Sequence, residues 1–263
     1  MPEPLIVTLG DVLALSLITP PEGLLAESAE PAETRLIVGG RAAVCACWVV
    51  AAEARGRAVS ARSYDRLGDL VEAELADRGV ELEGPGVEGH TGVATVVRTP
   101  GARRTALTDR GVCAKLAHEL IQPEWFDDAD VLHVSGYALV DQPSAGAVQH
   151  ACEIAREAGA SLSVDLASAD IVSPLVRERI LQLQPEVVLA TAAQAEAIGG
   201  IDDLGDLAVI SDDGALPAID PMGVADASRF ESRCRGTVVF GSQDVVAVGS
   251  GSAQRSGGGG GPT

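Results

Sequence analysis

Short apolar runs alternate along the chain with longer stretches in which apolar residues return every three or four positions. Leu5 to Leu9, Ala58 to Arg62, Val131 to Ser135, Leu162 to Asp165, Val187 to Ala190 and Ala208 to Ile210 have the length and apolar content of buried strands. Between them, Arg41 to Ala54, Arg66 to Arg78, Ala145 to Ala158, Pro174 to Leu183 and Ala192 to Ile198 carry the Ala, Leu and Glu content of helices. This alternation predicts an α/β protein, a three-layer α/β/α sandwich around a mostly parallel sheet. Ligands on such sheets bind beyond the carboxyl ends of the strands.

Two stretches interrupt the alternation. Ser16 to Val38 is rich in Pro, Glu and Ser and ends in a short apolar strand, and Gly92 to Thr108 holds alternating β-type residues around a turn at Pro100-Gly101. Both patterns fit a small β flap, built from about 16–38 and 92–108, over the ligand edge; both also fit plain surface hairpins. The α/β domain is expected over 1–235. Beyond it, Val238 to Val248 has the content for one or two strands. The residues from Gly249 to Thr263 are Gly/Ser-rich, so 236–263 is expected to be a poorly structured tail.

Composition narrows the partners. With 19 Lys+Arg against 38 Asp+Glu the formal charge is -19, a field that repels phosphate backbones and anionic headgroups. Nucleic acid and membrane are therefore not expected as partners, and an anionic substrate needs a local positive device such as helix N-termini or a few arginines. No apolar run reaches the roughly 18 residues of a membrane span, and Leu5 to Ile18 lacks a basic leader, so a cytoplasmic location is expected. Cys45, Cys47, Cys113, Cys152 and Cys234 are odd in number and scattered, a pattern of reduced core thiols. His90, His118, His133 and His150 stand apart from each other and from cysteine. His133, on an apolar strand, reads as a satisfied core or site-edge histidine.

Asp220-Pro221-Met222-Gly223-Val224-Ala225-Asp226-Ala227 is the segment richest in chemistry. Small residues at 223 and 225 let successive N–H groups converge into an anion-binding nest, with Asp226 beside it as a general base. An Asp-Pro turn followed by an Asp helix cap accounts for the same residues without a ligand. Arg103-Arg104 could meet a phosphorylated substrate or simply solubilise a hairpin tip. Asp165, at a strand end, suits a ligand contact or a helix cap.

The same segment resembles the D-x-x-G-x-G-D-x-F signature of the ribokinase-like (PfkB) carbohydrate kinases, with Asp226 at the position of the catalytic base. Further resemblances follow in order: Gly10-Asp11 after the first strand, Gly39-Gly40-Arg41-Ala42-Ala43 to the sugar-contacting G-G-x-A-x-N element, Asp65-Arg66-Leu67-Gly68 to D-x-x-G, Thr91-Gly92 and Arg104-Thr105 to flap strands, His133 to Tyr137 to the mid-sheet strand end, Val164-Asp165 to V-D, and Asp212 to Ala215 to D-G-A. The similarity spans Leu5 to Ala227.

It implies a ribokinase-like fold and phosphorylation of a sugar or nucleoside hydroxyl by ATP with Mg²⁺. Asp226 is then the base, and Gly223, Val224 and Ala225 form the anion hole. Asp11, Gly39, Gly40, Arg104 and Asp165 lie on the substrate side, Thr191 and Gln194 in the nucleotide and metal-water region, and no side chain ligates the metal directly. Flap strands of such kinases often pair between subunits, which implies a homodimer.

The sequence also departs from the pattern. Leu15 and Val44 replace an Asp and an Asn that hold sugar hydroxyls, Thr191 and Gln194 replace N-x-x-E, and Ala225 replaces the second glycine of the nest. Ser63-Tyr64 replaces a small-acidic pair. The chain is also shorter between Ala215 and Asp220 and lacks apolar helical residues after Asp226. These departures motivate a second reading, a catalytically silent protein that binds a small molecule or partner.

Overall fold

The computed structural model of the chain describes residues 3–20, 31–99, 103–200, 204–205, 207–211, 240–241 and 244–245. In chain order the elements are β1 (Leu5–Leu9), β2 (Leu13–Thr19), β3 (Glu33–Gly39), α1 (Arg41–Ala51), β4 (Arg55–Val59), α2 (Arg66–Asp77), β5 (Glu81–Glu83), β6 (Thr91–Thr99) and β7 (Arg103–Gly111). Short 3-10 turns lead to β8 (Val131–Ser135), α3 (Ser144–Glu157), β9 (Ser161–Asp165), α4 (Pro174–Leu183), β10 (Val187–Thr191), α5 (Ala192–Ala197) and β11 (Leu207–Ser211). Two-residue strands β12 (Phe240–Gly241) and β13 (Asp244–Val245) pair antiparallel inside the stretch expected to hold strands. The tail from Gly249 lies outside the described residues.

Seven strands form one parallel sheet in the order β11-β10-β9-β8-β1-β4-β5. From β1 the chain first runs outward through β4 and β5, then returns to β8 and runs the other way. The order therefore reverses between β1 and β8, which is where an open α/β sheet leaves a crevice for a ligand.

Because side chains alternate along a strand, each strand feeds two cores. Leu5, Val7, Leu9, Leu132, Val134, Leu162, Val164 and Val188 pack with residues of α3 and α4 in one large cluster. Ala58 faces the other way, into a smaller cluster with Ala42, Ala43 and Ala46 of α1 and with Val71 and Leu75 of α2.

The strand expected over Ala58 to Arg62 is displaced: β4 runs over Arg55–Val59, in register with all of β1. Its charged start is accommodated because Arg55 and Arg57 both pair with Glu81 on the edge strand β5, at 3.0 and 2.6 Å. Gly56 lets α1 cross closely, since a Cβ there would stand 2.6 Å from the Ala46 carbonyl oxygen.

A second sheet, ordered β3-β2-β6-β7, contains the two interruptions of the α/β pattern. β2 pairs antiparallel with β3 and parallel with β6, and β6 pairs antiparallel with β7. This flap is anchored to α2 at two roots. Glu74 accepts the Val38 N–H at 2.9 Å. Asp65, the N-cap of α2, accepts the Gly68 N–H and also the Thr91 N–H, each at 2.7 Å, and the Thr91 hydroxyl at 2.6 Å.

Cys45, Cys47, Cys113 and Cys152 are free thiols. Burial pushes Cys152 up to about 12 and Cys113 up to about 11, so both stay protonated at neutral pH. Among the described residues no helix is long and apolar enough to cross a membrane.

Candidate active site

Parallel strands end at a common edge, so β1, β8, β9 and β10 deliver Asp11, Ser135, Asp165 and Thr191 to the same rim of the sheet. At the crevice between β1 and β8 the two backbones stand close. A Cβ on Gly10 would lie 2.8 Å from Cβ of Ser135 and 3.6 Å from Cβ of Ala42 in the first turn of α1. Gly40, with φ 90°, starts α1 against the chain after β1. A Cβ there would sit 2.1 Å from the Asp11 carbonyl oxygen, so only glycine fits. Gly39 has a similar constraint from the flap side, where a Cβ would lie 2.7 Å from that of Leu15. The glycine pair thus brings the N-terminus of α1, which no side chain caps, to the crevice. Ser135 is almost fully buried beside it, and its hydroxyl has no hydrogen-bond partner among the described residues.

Asp11 does not stand free. The guanidinium of Arg110, near the end of β7, grips it through Nε at 2.9 Å and Nη2 at 2.8 Å. Arg110 Nη1 lies 3.5 Å from Asp141, in the loop after β8. This fork is the geometry in which Arg and carboxylate pair most strongly, and it ties the flap to the crevice. Sequence reading missed Arg110 because its partner is 99 residues away. The only local hint was an arginine at the inner end of a strand.

Asp165 is nearly fully buried and serves as the hub of a polar cluster. Its Oδ2 is 3.2 Å from His133 Nε2, its Oδ1 accepts the Ala167 N–H at 2.6 Å, and His133 Nδ1 meets the Ser163 hydroxyl at 2.9 Å. Burial pushes the Asp165 carboxyl up. The His133 hydrogen bond, the Arg41 charge and the Ala167 N–H outweigh burial and hold it below its ordinary value. Ala167 adopts φ 54°, and its carbonyl accepts both the Arg41 guanidinium and, at 2.9 Å, the Gln194 amide. Arg41, the first residue of α1, is a second site-edge group that the sequence did not single out.

Thr191 and Gln194 form a reciprocal capping box on α5: the Thr191 hydroxyl accepts the Gln194 N–H at 3.2 Å, and the Gln194 side-chain oxygen accepts the Thr191 N–H at 2.8 Å. Both ends of the Gln194 side chain are therefore engaged in holding the protein together. Arg104 lies on β7 at the register position opposite Arg98. Val44 is half-buried on α1. Gly223, Val224, Ala225 and Asp226 lie outside the described residues, as do Asp212 to Ala215. No group of three or more His, Cys, Asp or Glu side chains able to hold a metal occurs among the described residues.

A parallel sheet whose strand order reverses beside a glycine-opened helix, with a β flap rising from the same rim, defines the ribokinase-like class of α/β proteins. The sequence profile of pfkB family carbohydrate kinases matches residues 3–210, and the chain belongs to that family. Fructokinase-1 of Oryza sativa subsp. japonica is 30% identical over 151 residues, which are 54% of this chain and 47% of that protein. The chain thus spans about half the length of this curated relative.

Among solved structures, adenosine kinase from Sinorhizobium meliloti superposes with a TM-score of 0.68 at 19% identity, covering 97% of this chain and 82% of that one. Fructokinase with bound ATP from Xylella fastidiosa gives 0.66 at 20% identity, covering 81% and 73%.

Proposed function

We propose that the protein phosphorylates a hydroxyl of a sugar or nucleoside, with ATP and Mg²⁺ entering together as the second substrate. The family match over residues 3–210, together with the crevice that Gly10, Gly39 and Gly40 open between β1 and β8, supports this reading most directly. In the reaction the acceptor oxygen attacks the γ-phosphorus while the bond to the bridging oxygen of the leaving ADP breaks. The acceptor proton passes to the carboxylate of Asp226. The N–H groups of Gly223, Val224 and Ala225 stabilise the transferring phosphoryl group.

Gly39, Gly40, Asp11, Asp165 and Arg104 belong to the acceptor side, and Thr191 and Gln194 border the nucleotide. With Asp11 engaged by Arg110 and Asp165 by His133, both carboxylates shape the acceptor side by holding loops in place. The flap covers the acceptor and excludes water, and pairing of flap strands between two copies gives a homodimer in the cytoplasm.

The test is ADP release and phosphorylated product with MgATP over pentoses, hexoses, sugar acids and nucleosides. Asp226→Asn should lower kcat by about 10²–10⁴-fold; undiminished turnover in that variant removes Asp226 from its role.

A second reading, a silent relative that binds a small molecule or partner without phosphoryl transfer, is favoured by the engagement of both ends of Gln194, its oxygen in the capping box and its amide on the Ala167 carbonyl. It predicts acceptor binding that is indifferent to ATP and Mg²⁺ in calorimetry. Any phosphorylated product eliminates it.

A further inference from the structure

The two faces of the flap differ, and the register assigns each residue to one of them. On one face, Leu15 sits between Ile37 of β3 and Ala94 of β6, and one pleat further out Leu17 neighbours Val96, which is itself opposite Ala106 of β7. On the other face the corresponding row is Leu36, Ser16, Thr95 and Leu107, with a hydroxyl pair at its centre.

By the same alternation, Arg110 belongs to the face of Ala106 and Thr108, and its guanidinium reaches Asp11 at the crevice and approaches Asp141. The face carrying Leu15 is therefore the one turned to the ligand edge. Leu15 also lies against the backbone of Gly39, where even a Cβ would come within 2.7 Å. Leu15, Leu17, Ile37, Ala94 and Val96 are only half-buried, so they form an incompletely covered apolar patch, with Arg35 opposite Leu17 and Thr108 opposite Ala94 at its margins.

We propose that Leu15, with Ile37 and Ala94 beside it, selects the acceptor: a hydroxyl compound whose far end is an apolar planar or alkyl group, in preference to a free polyol. The inference rests on the phosphoryl-acceptor reading above and narrows it to one substrate class. Its physical basis is asymmetric. A polyol placed against Leu15, Ile37 and Ala94 loses water from hydroxyls that these three side chains cannot hydrogen-bond, whereas an apolar group gains by leaving water.

Calorimetry without nucleotide, using adenosine and D-fructose as probes, tests the preference apart from catalysis. Adenosine is expected to bind at least about tenfold more tightly, and Leu15→Asp or the milder Ile37→Thr should reduce that ratio by a similar factor. Equal or tighter binding of fructose, binding of neither probe, or an unchanged ratio in a folded Leu15→Asp variant overturns the proposal. So does a Leu15→Asp protein that turns from dimer to monomer in sedimentation while keeping the wild-type ratio, because the face would then belong to a second copy. If Leu15→Asp does not fold, the ratio in Ile37→Thr decides in its place, and an unchanged ratio there overturns the proposal. Absence of phosphorylated product with the adenosine preference intact defeats the kinase reading and leaves this one standing.

Discussion

The same strands build both faces of the central sheet, yet the faces are stabilised differently. Toward α3 and α4 the strands present Leu132, Val134, Leu162 and Val164, sealed in one continuous apolar cluster. Toward α1, beside the smaller apolar cluster around Ala58, they present Thr8, whose hydroxyl donates to the Ala42 carbonyl, and His133, Ser163 and Asp165, joined by hydrogen bonds and by the charge of Arg41. The first face draws its stability from area removed from water and tolerates no void. Around Asp165 the second relies on mutual satisfaction of polar groups, so removing one member exposes the desolvation of those left behind. The polar face is also the one that α1 brings to the crevice, which places the demand for geometry where a ligand would use it.

Three substitutions separate these two modes, and a fourth probes the flap root. Leu132→Ala, in the apolar cluster, should destabilise by about 4 kcal/mol in urea unfolding; a loss below about 1 kcal/mol would mean that the cluster collapses around the void. Asp165→Ala should cost about 3 kcal/mol, because it leaves His133 and the Ala167 N–H without their shared acceptor and Arg41 without the opposite charge it faces. If it cost no more than an average surface change, the polar face would be ornamental.

At the flap root, Asp65→Ala should cost about 1–2 kcal/mol through loss of the α2 cap and of the tie to Thr91. Burial works against the Asp65 carboxylate, but hydrogen bonds from Thr91, Gly68 and Ser63 prevail and lower it from 3.8 to about 2. A depressed folded pKa means that the contribution is complete above the unfolded value and fades as pH falls toward about 2. The acid limb of the stability curve should accordingly be shallower in the variant than in the wild type between pH 4 and 2, roughly. The smallest effect is expected for Ser163→Ala, about 0.5–1 kcal/mol, because it removes one bond to His133 from a half-buried position. A value matching Leu132→Ala would erase the distinction between the faces.

Much of this was readable in the chain. Val131 to Ser135, Val187 to Ala190 and Pro174 to Leu183 announce themselves because apolar content and element coincide. β4 was misplaced because Arg55-Gly56-Arg57 does not look like a buried strand until Glu81 is known to lie beside it. β5, with the sequence Glu-Leu-Glu, carries no apolar run at all. The glycine doublet and Asp165 were legible as rim residues since each follows or precedes a recognisable element. What Asp165 does there was not, because its partner His133 is 32 residues away. Gln194 is placed beside the nucleotide only through the resemblance, and its spacing from Thr191 spells a capping box as well.

The anchoring of the flap has a mechanical outcome. Glu74 on Val38, Asp65 on Thr91 and Arg110 on Asp11 nail down three of its strands at their inner ends. A sheet so fastened cannot swing from its base like a door. It can only curl from partway along, and amide exchange should quicken steadily from Leu13 toward Thr19 as the distance from those fastenings grows.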